Sequence, residues 1–257
     1  LVMAGMHLMR LAAGTPGAGI VPVDSEHSAI FQLLESHGKA LERIVITASG
    51  GPFRGCAREE LERKTYADAL RHPTWSMGPK ITVDSASLAN KGLEVIEAHF
   101  LFGLGYDNID VLVHPQSIVH GMAVYADGAV MAHMGVPDMR MPIQYALTWP
   151  ERKPGPLPKP DFAALRSLSF ESVDSRCFPC LDLAYAAGRQ GGVATAVFNA
   201  ANEAAVSAFS REKTGFMDIP RLIEKTLAAA PSIADPSLEA ILETDRWARD
   251  YAARLCE

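Results

Sequence analysis

Arg43-Ile44-Val45-Ile46-Thr47-Ala48-Ser49-Gly50-Gly51-Pro52-Phe53-Arg54 is the stretch from which the fold can be read. Six residues rich in β-branched side chains give way to a loop with adjacent glycines, the pattern of a buried strand ending in a tight turn. Working outward, Gly19-Ile20-Val21-Pro22-Val23, Lys80-Ile81-Thr82-Val83 and Ile109-Asp110-Val111-Leu112-Val113 are short runs of the same kind, separated by helical patterns. A long helix is expected from about Ser85 to Leu104, and a hairpin from Ser117–Tyr125 and Ala129–His133 around Asp127-Gly128. Alternation of strands and helices predicts an α/β (α+β) unit with a mixed sheet over residues 1–149.

Beyond it the composition changes. Five of the 17 prolines (Pro150, Pro154, Pro156, Pro158 and Pro160) fall within eleven residues, which predicts an extended linker over 150–174. Residues 175–257 read as a small helical bundle. Asp218 with Pro220 in the first turn starts a helix through Leu227, and Leu238, Ile241, Leu242, Ala248, Ala252 and Leu255 make one apolar stripe. Leu1, Met6, Leu8 and Met9 read as mid-helix, so the expectation is a piece of something longer.

Acidic residues outnumber basic ones 30 to 24, a net charge of −6, which gives no bulk attraction for nucleic acid. The longest stretch without Asp, Glu, Lys or Arg, Val111–Ala126, carries two histidines, a proline and a glutamine, and falls short of a membrane span. The 4 cysteines, Cys56, Cys177, Cys180 and Cys256, are too scattered for a disulfide framework, and no secretory signal is visible. The expectation is a soluble cytoplasmic protein with no nucleic-acid or membrane partner.

Four constellations carry chemistry. In Val23-Asp24-Ser25-Glu26-His27, a strand end would point Asp24 and Glu26 the same way and Ser25 elsewhere. Two facing carboxylates suit a hard divalent cation, although the spacing equally describes two solvated acids. In Asp84-Ser85-Ala86-Ser87-Leu88-Ala89-Asn90-Lys91-Gly92-Leu93-Glu94, a strand-to-helix junction offers free N–H groups, two polar donors and a charge for a phosphate, with Glu94 in reach of a metal beside it. An N-capped helix with exposed Lys91 and Glu94 is the alternative. Ser49-Gly50-Gly51 lets backbone approach an oxyanion, or is merely a turn. Arg71-His72-Pro73-Thr74-Trp75-Ser76-Met77-Gly78 reads either as a mobile lid or as a loop packing Trp75 on the core. His114 and His120 lack the company a zinc site needs, and Cys177-x-x-Cys180 reads as structural.

In order, PVDSEHSAIFQ (22–32), TASGGPFR (47–54), RHPTWSMGPKITVDSASLANKGLEVIEA (71–98), VLVHPQSIVHGMAVYADGAVMAHMGVPDMR (111–140) and FNAANEAAVSAF (198–209) resemble the 1-deoxy-D-xylulose 5-phosphate reductoisomerase family of the non-mevalonate isoprenoid pathway. The resemblance implies rearrangement of 1-deoxy-D-xylulose 5-phosphate by carbon–carbon cleavage and re-addition, then reduction by NADPH to 2-C-methyl-D-erythritol 4-phosphate, with Mn²⁺ or Mg²⁺. It implies Asp24, Glu26 and Glu94 as metal ligands and Ser49, Ser85, Asn90 and Lys91 as phosphate-holding groups, with His72 close by and Ser25 also at the substrate. Glu26, Glu94, Lys91 and His72 would be the catalytic set. Trp75 and Met77 would form a closing flap, Gly78 a backbone contact to the nicotinamide, and His120, Pro137 and Met139 pocket walls. It also implies a homodimer formed through the sheet.

One departure is that no G-x-G-x-x-G loop follows a first strand, so the main NADPH-binding domain is not expected within these residues. Two other readings compete: a metal-dependent sugar-phosphate isomerase or lyase without a nicotinamide, and a non-catalytic phosphosugar-binding module.

Overall fold

The computed structural model describes residues 1–37 and 40–256. The run that opened the sequence analysis is β1 (Leu41–Ala48), the middle strand of a five-stranded sheet ordered β4-β3-β1-β2-β5. The others are β2 (Ile109–Val113), β3 (Val119–Tyr125), β4 (Val130–Met134) and β5 (Glu171–Ser172). Strands β1 and β2 are parallel, with Ile44 opposite Ile109 and Ala48 opposite Val113, whereas β3, β4 and β5 each pair antiparallel. The mixed sheet is the expected one. Ile44, Val45, Ile46, Thr47 and Ala48 are all buried, as a central strand covered on both faces requires. Gly128, at φ 86°, closes the β3–β4 hairpin, where Asp127 Oδ1 accepts from the Ala129 N–H at 2.9 Å.

Twelve helices connect and cover the sheet among the described residues: α1 (Gly5–Gly14), α2 (Ser25–His37), α3 (Arg58–Leu61), α4 (Tyr66–Ala69), α5 (Pro79–Ser87), α6 (Ala89–Phe102), α7 (Arg140–Thr148), α8 (Phe162–Leu165), α9 (Cys180–Gln190), α10 (Ala194–Ser210), α11 (Asp218–Ala229) and α12 (Leu238–Leu255). A single apolar cluster runs from Ile30, Ile44 and Ile46 through Val95 and Ile96 to Phe198, Ile219 and Ala252. Helix α6 therefore lies between the sheet and the carboxy-terminal helices. It approaches α9 so closely that a Cβ on Gly92 would stand 2.5 Å from the Ala184 Cβ.

Several expectations need correction. Residues 19–23 form no strand: Pro22 lacks a ladder donor, and Ile20 and Val23 are 37 and 42 % exposed. Lys80–Val83 is helix, not strand: Gly78 caps α5 in an extended conformation and Pro79 takes its first position, a start signal that outweighs Ile81, Thr82 and Val83. The expected long helix is instead two helices, broken at Leu88, which sits in the left-handed region at φ 59°. The amino-terminal helix begins only at Gly5. The 150–174 segment also supplies α8 and the edge strand β5. On α12, Ile241, Ala248 and Ala252 are buried, but Leu238, Leu242 and Leu255 are exposed because the helix lies at the surface.

Candidate metal and anion site

Two helix starts and one strand end converge on a cleft of about 220 Å³. Asp24 stands just before α2, where its Oδ1 accepts from the Glu26 N–H at 3.2 Å and bonds His27 Nδ1 at 3.0 Å. Helix geometry, rather than strand parity, thus brings Asp24 and Glu26 together in the first turn, where a helix dipole favours negative charge. Ser25 consequently does not face elsewhere: its Oγ donates to Glu26 Oε2 at 2.5 Å and it lines the same cleft.

Glu94 arrives from α6. One carboxylate oxygen from each of Asp24, Glu26 and Glu94 lies within 4.8 Å of the others. Lys91 Nζ donates to Glu26 Oε1 at 2.9 Å and to Glu94 Oε2 at 2.6 Å, and Asn90 Nδ2 donates to Glu94 Oε1 at 2.6 Å. The reading of Lys91 and Glu94 as exposed is excluded, since they are 4 % and 3 % exposed. Burial, reinforced by the Glu26 charge, pushes the Glu94 carboxyl well above the usual carboxylate range. For Lys91, burial works against the charge, yet Glu26 and Glu94 together hold its pKa above the ordinary value. Three hard oxygen donors around one ammonium have the composition a divalent cation takes up, so the donor set fits such an ion.

No role for His27 follows from the residue pattern around it when read as a strand end. It is 1 % exposed, and its Nε2 bonds the Glu94 carbonyl oxygen at 2.9 Å, so one imidazole ties the start of α2 to α6. Burial would lower its pKa, but the hydrogen bond and charge of Asp24, with Glu94 and Glu97 nearby, push it up to about 10. As an imidazolium it donates from both nitrogens. The three-residue step from Asp24 along one helix was the available signal.

A second cluster sits beside the carboxylates. His72 Nε2 lies 3.0 Å from Ser49 Oγ and 3.1 Å from Ser85 Oγ. Its Nδ1 accepts from the backbone N–H groups of Thr74 and Trp75, at 3.2 and 2.9 Å. With Nδ1 an acceptor and the pKa lowered by burial, the ring is neutral and carries its proton on Nε2, between the two serines. Gly51, at φ 66°, is demanded by packing: a Cβ there would stand 2.8 Å from the Ser85 carbonyl oxygen, so the Gly-rich loop lies directly on α5.

Trp75 and Met77 line the cleft with Met139. His120 stands behind, its ring 6.3 Å from that of Trp75. Gly78 caps α5 next to Met77, and neither Gly78 nor Pro137 lines the cleft. His114 is structural, bonded to the Ser169 carbonyl and the Ile118 N–H, and Cys177 and Cys180 are free thiols. A larger cleft, about 410 Å³, lies between α7 and residues 152–160; it contains no carboxylate.

Fold and site together define a mixed α/β protein in which three carboxylates, close enough to share a cation, stand next to a Ser–His–Ser cluster. Residues 20–102 match the family model described as the 1-deoxy-D-xylulose 5-phosphate reductoisomerase C-terminal domain, and residues 134–251 match the DXP reductoisomerase C-terminal domain. The 1-deoxy-D-xylulose 5-phosphate reductoisomerase of Synechococcus sp. (strain JA-2-3B'a(2-13)) is 57 % identical over 242 residues, 94 % of this chain and 62 % of that protein. That of Acetivibrio thermocellus is 53 % identical over 250 residues, 97 % of this chain and 65 % of that protein. Among solved structures, the Zymomonas mobilis enzyme in complex with NADPH superposes with a TM-score of 0.93 at 44 % identity, covering 100 % of this chain and 66 % of the other. A DOX-P reductoisomerase in complex with NADPH, fosmidomycin and magnesium gives 0.92 at 39 % identity, covering 100 % and 67 %. The chain belongs to the 1-deoxy-D-xylulose 5-phosphate reductoisomerase family, and spans less than two thirds, 62 to 65 %, of these two curated relatives.

Proposed function

We propose that this chain provides the metal- and phosphosugar-binding part of an NADPH- and divalent-metal-dependent enzyme that rearranges and reduces 1-deoxy-D-xylulose 5-phosphate to 2-C-methyl-D-erythritol 4-phosphate in isoprenoid precursor biosynthesis. The observation that carries the reading is the juxtaposition of Asp24, Glu26 and Glu94, within 4.8 Å, with the His72–Ser49–Ser85 cluster. Asp24, Glu26 and Glu94 hold Mg²⁺ or Mn²⁺. When bound, that ion supplies a Lewis acid for the substrate's carbonyl and hydroxyl oxygens.

The protein's own groups do the rest. His72 presents its Nε2 proton, and Ser49 and Ser85 their hydroxyls, to the phosphate. Asn90 and Lys91 face the junction between phosphate and cation, and Ser25 keeps Glu26 oriented by donating to it at 2.5 Å. A phosphate held at a distance from the reacting carbons lends binding energy that orients them. Trp75 and Met77 close over the substrate and exclude water, and Gly78, at the root of that flap, meets the nicotinamide. His120, Pro137 and Met139 wall the pocket.

Val130 and Met131 on the edge strand β4, and Ile143, Leu147 and Trp149 in and just after α7, are exposed apolar side chains suited to a homodimer. Among the described residues no helix is long and apolar enough to cross a membrane, which is compatible with a cytoplasmic enzyme. We retain the division into a catalytic unit (1–149), a linker (150–174) and a helical unit (175–257). NADPH oxidation with 1-deoxy-D-xylulose 5-phosphate and Mn²⁺ tests the function, measured on this chain alone and joined to the amino-terminal part of a full-length relative. Substrate-dependent oxidation by the joined protein is expected; none in either, with Mn²⁺ bound, overturns the reading.

A further inference from the structure

Behind the cradle lies a buried carboxylate that none of the roles above uses. Asp84, 1 % exposed, immediately precedes Ser85 on α5. Its Oδ2 takes the Lys80 ammonium at 2.5 Å, one turn earlier on the same helix. Its Oδ1 accepts from Asn202 Nδ2 at 2.9 Å, across 118 residues of chain. Asn202 is fully buried on α10, among alanines and phenylalanines, and its own Oδ1 has no hydrogen-bond partner.

A fully buried amide is held in an apolar helix only where its bond matters, because stranding a polar group there is costly. Here the bond pins α5 to α10 at the residue before Ser85. Two neighbours leave Ser85 little room to tolerate a shift. Its carbonyl oxygen packs on the Gly51 backbone, 2.8 Å from where a Cβ at Gly51 would stand, and its Oγ is 3.1 Å from His72 Nε2. Burial raises the Asp84 carboxyl above its ordinary pKa, with Lys80 and Asn202 opposing, so the pair needs its partners to stay ionised.

We propose that Asn202 is a positioning residue for the anion cradle: through Asp84 it sets Ser85 against His72 and Ser49, so that the carboxy-terminal helices govern phosphosugar affinity from a side chain that touches no substrate. The inference rests on the reading of the cradle as the phosphate site.

Two variants test it. Asn202→Asp sets two acids face to face. The exchange Asn202→Asp with Asp84→Asn restores an amide-to-carboxylate bond with the donor now on α5, while half-exposed Lys80 stays solvated. Calorimetry would measure affinity for 1-deoxy-D-xylulose 5-phosphate with Mg²⁺, and for Mn²⁺ alone, below each variant's melting temperature. Asn202→Asp is expected to weaken the phosphosugar roughly ten- to a hundredfold, as small misplacements do, with Mn²⁺ affinity unchanged and the exchange restoring most of the loss. If Asn202→Asp does not fold, Asn202→Ser, which removes the reach of the donor, carries the same expectation. Unchanged phosphosugar affinity, an equal loss for Mn²⁺, or a folded exchange variant that recovers nothing overturns the proposal. A wild-type chain that binds Mn²⁺ but no phosphosugar overturns the cradle reading beneath it.

Discussion

The cleft and the carboxy-terminal helices bury opposite kinds of side chain. Around the cleft, His27, Asp84, Lys91 and Glu94 are 1, 1, 4 and 3 % exposed, and each is tied to a charged or polar partner. In α9 to α12 the interior is mainly apolar, with Ala184, Ala187, Ala196, Ala200, Ala201, Ala205, Phe198, Phe209 and Ile223 outweighing the buried polar Thr195, Asn202, Thr226, Thr244 and Asp245. Buried ions cost several kcal/mol each before pairing, so the cleft is a poor source of stability, and the apolar helices offset it. Helix α6 carries both duties: Lys91 and Glu94 face the cleft, while Gly92 meets Ala184 and Phe198 on the far side. Chemistry and stability are divided between the faces of one helix.

Substitutions on each side sharpen or break that division. Phe198→Ala, at a fully buried ring on α10, is expected to cost about 3–5 kcal/mol in urea unfolding while leaving Mn²⁺ affinity of the folded protein unchanged. A matching loss of Mn²⁺ affinity would mean the faces are not separable. Gly92→Ala puts a methyl group 2.5 Å from the Ala184 Cβ, so α6 or α9 must move. About 1–3 kcal/mol of destabilisation is expected, and because Lys91 and Glu94 flank the site, Mn²⁺ affinity should fall as well.

On the sheet side, the partly buried His133 tests a group that resists protonation. Burial, with His120 and Arg152 nearby, pushes its pKa from 6.5 down to about 4. Between those values the unfolded chain takes the proton and the folded chain does not. Stability therefore falls as pH drops through this window and levels off below it, by at most about 1.4 kcal/mol per pH unit. His133→Gln should flatten that part of the pH–stability curve; an unaltered slope would assign it to other groups. Least of all should Leu242→Ala matter, within about 0.5 kcal/mol, because its side chain stands 48 % exposed on α12.

Legibility followed the range of the interactions. Strands β1 and β2, the Asp127-Gly128 hairpin and the start of α11 are written in neighbouring residues, and all stand where the patterns put them. Lys80–Val83 misled because β-branched side chains in a helix look like a strand until Gly78-Pro79 is read as a helix start. The break at Leu88 has no local sign, since leucine disfavours the left-handed conformation that it adopts. Asp24 and Glu26 were legible as a pair, but the element was misread, and with it the direction of Ser25. His27 was legible only as a three-residue step from Asp24, and Asn202 not at all. Their partners, the Glu94 carbonyl and Asp84, lie 67 and 118 residues away in sequence.

The most direct test of the three-carboxylate site is a titration of Mn²⁺ into this chain and into Glu94→Gln, followed by calorimetry. One site is predicted in the unsubstituted chain, weakened at least about tenfold in the variant. Equal affinity in the two proteins would contradict the placement of Glu94, with Asp24 and Glu26, around the cation.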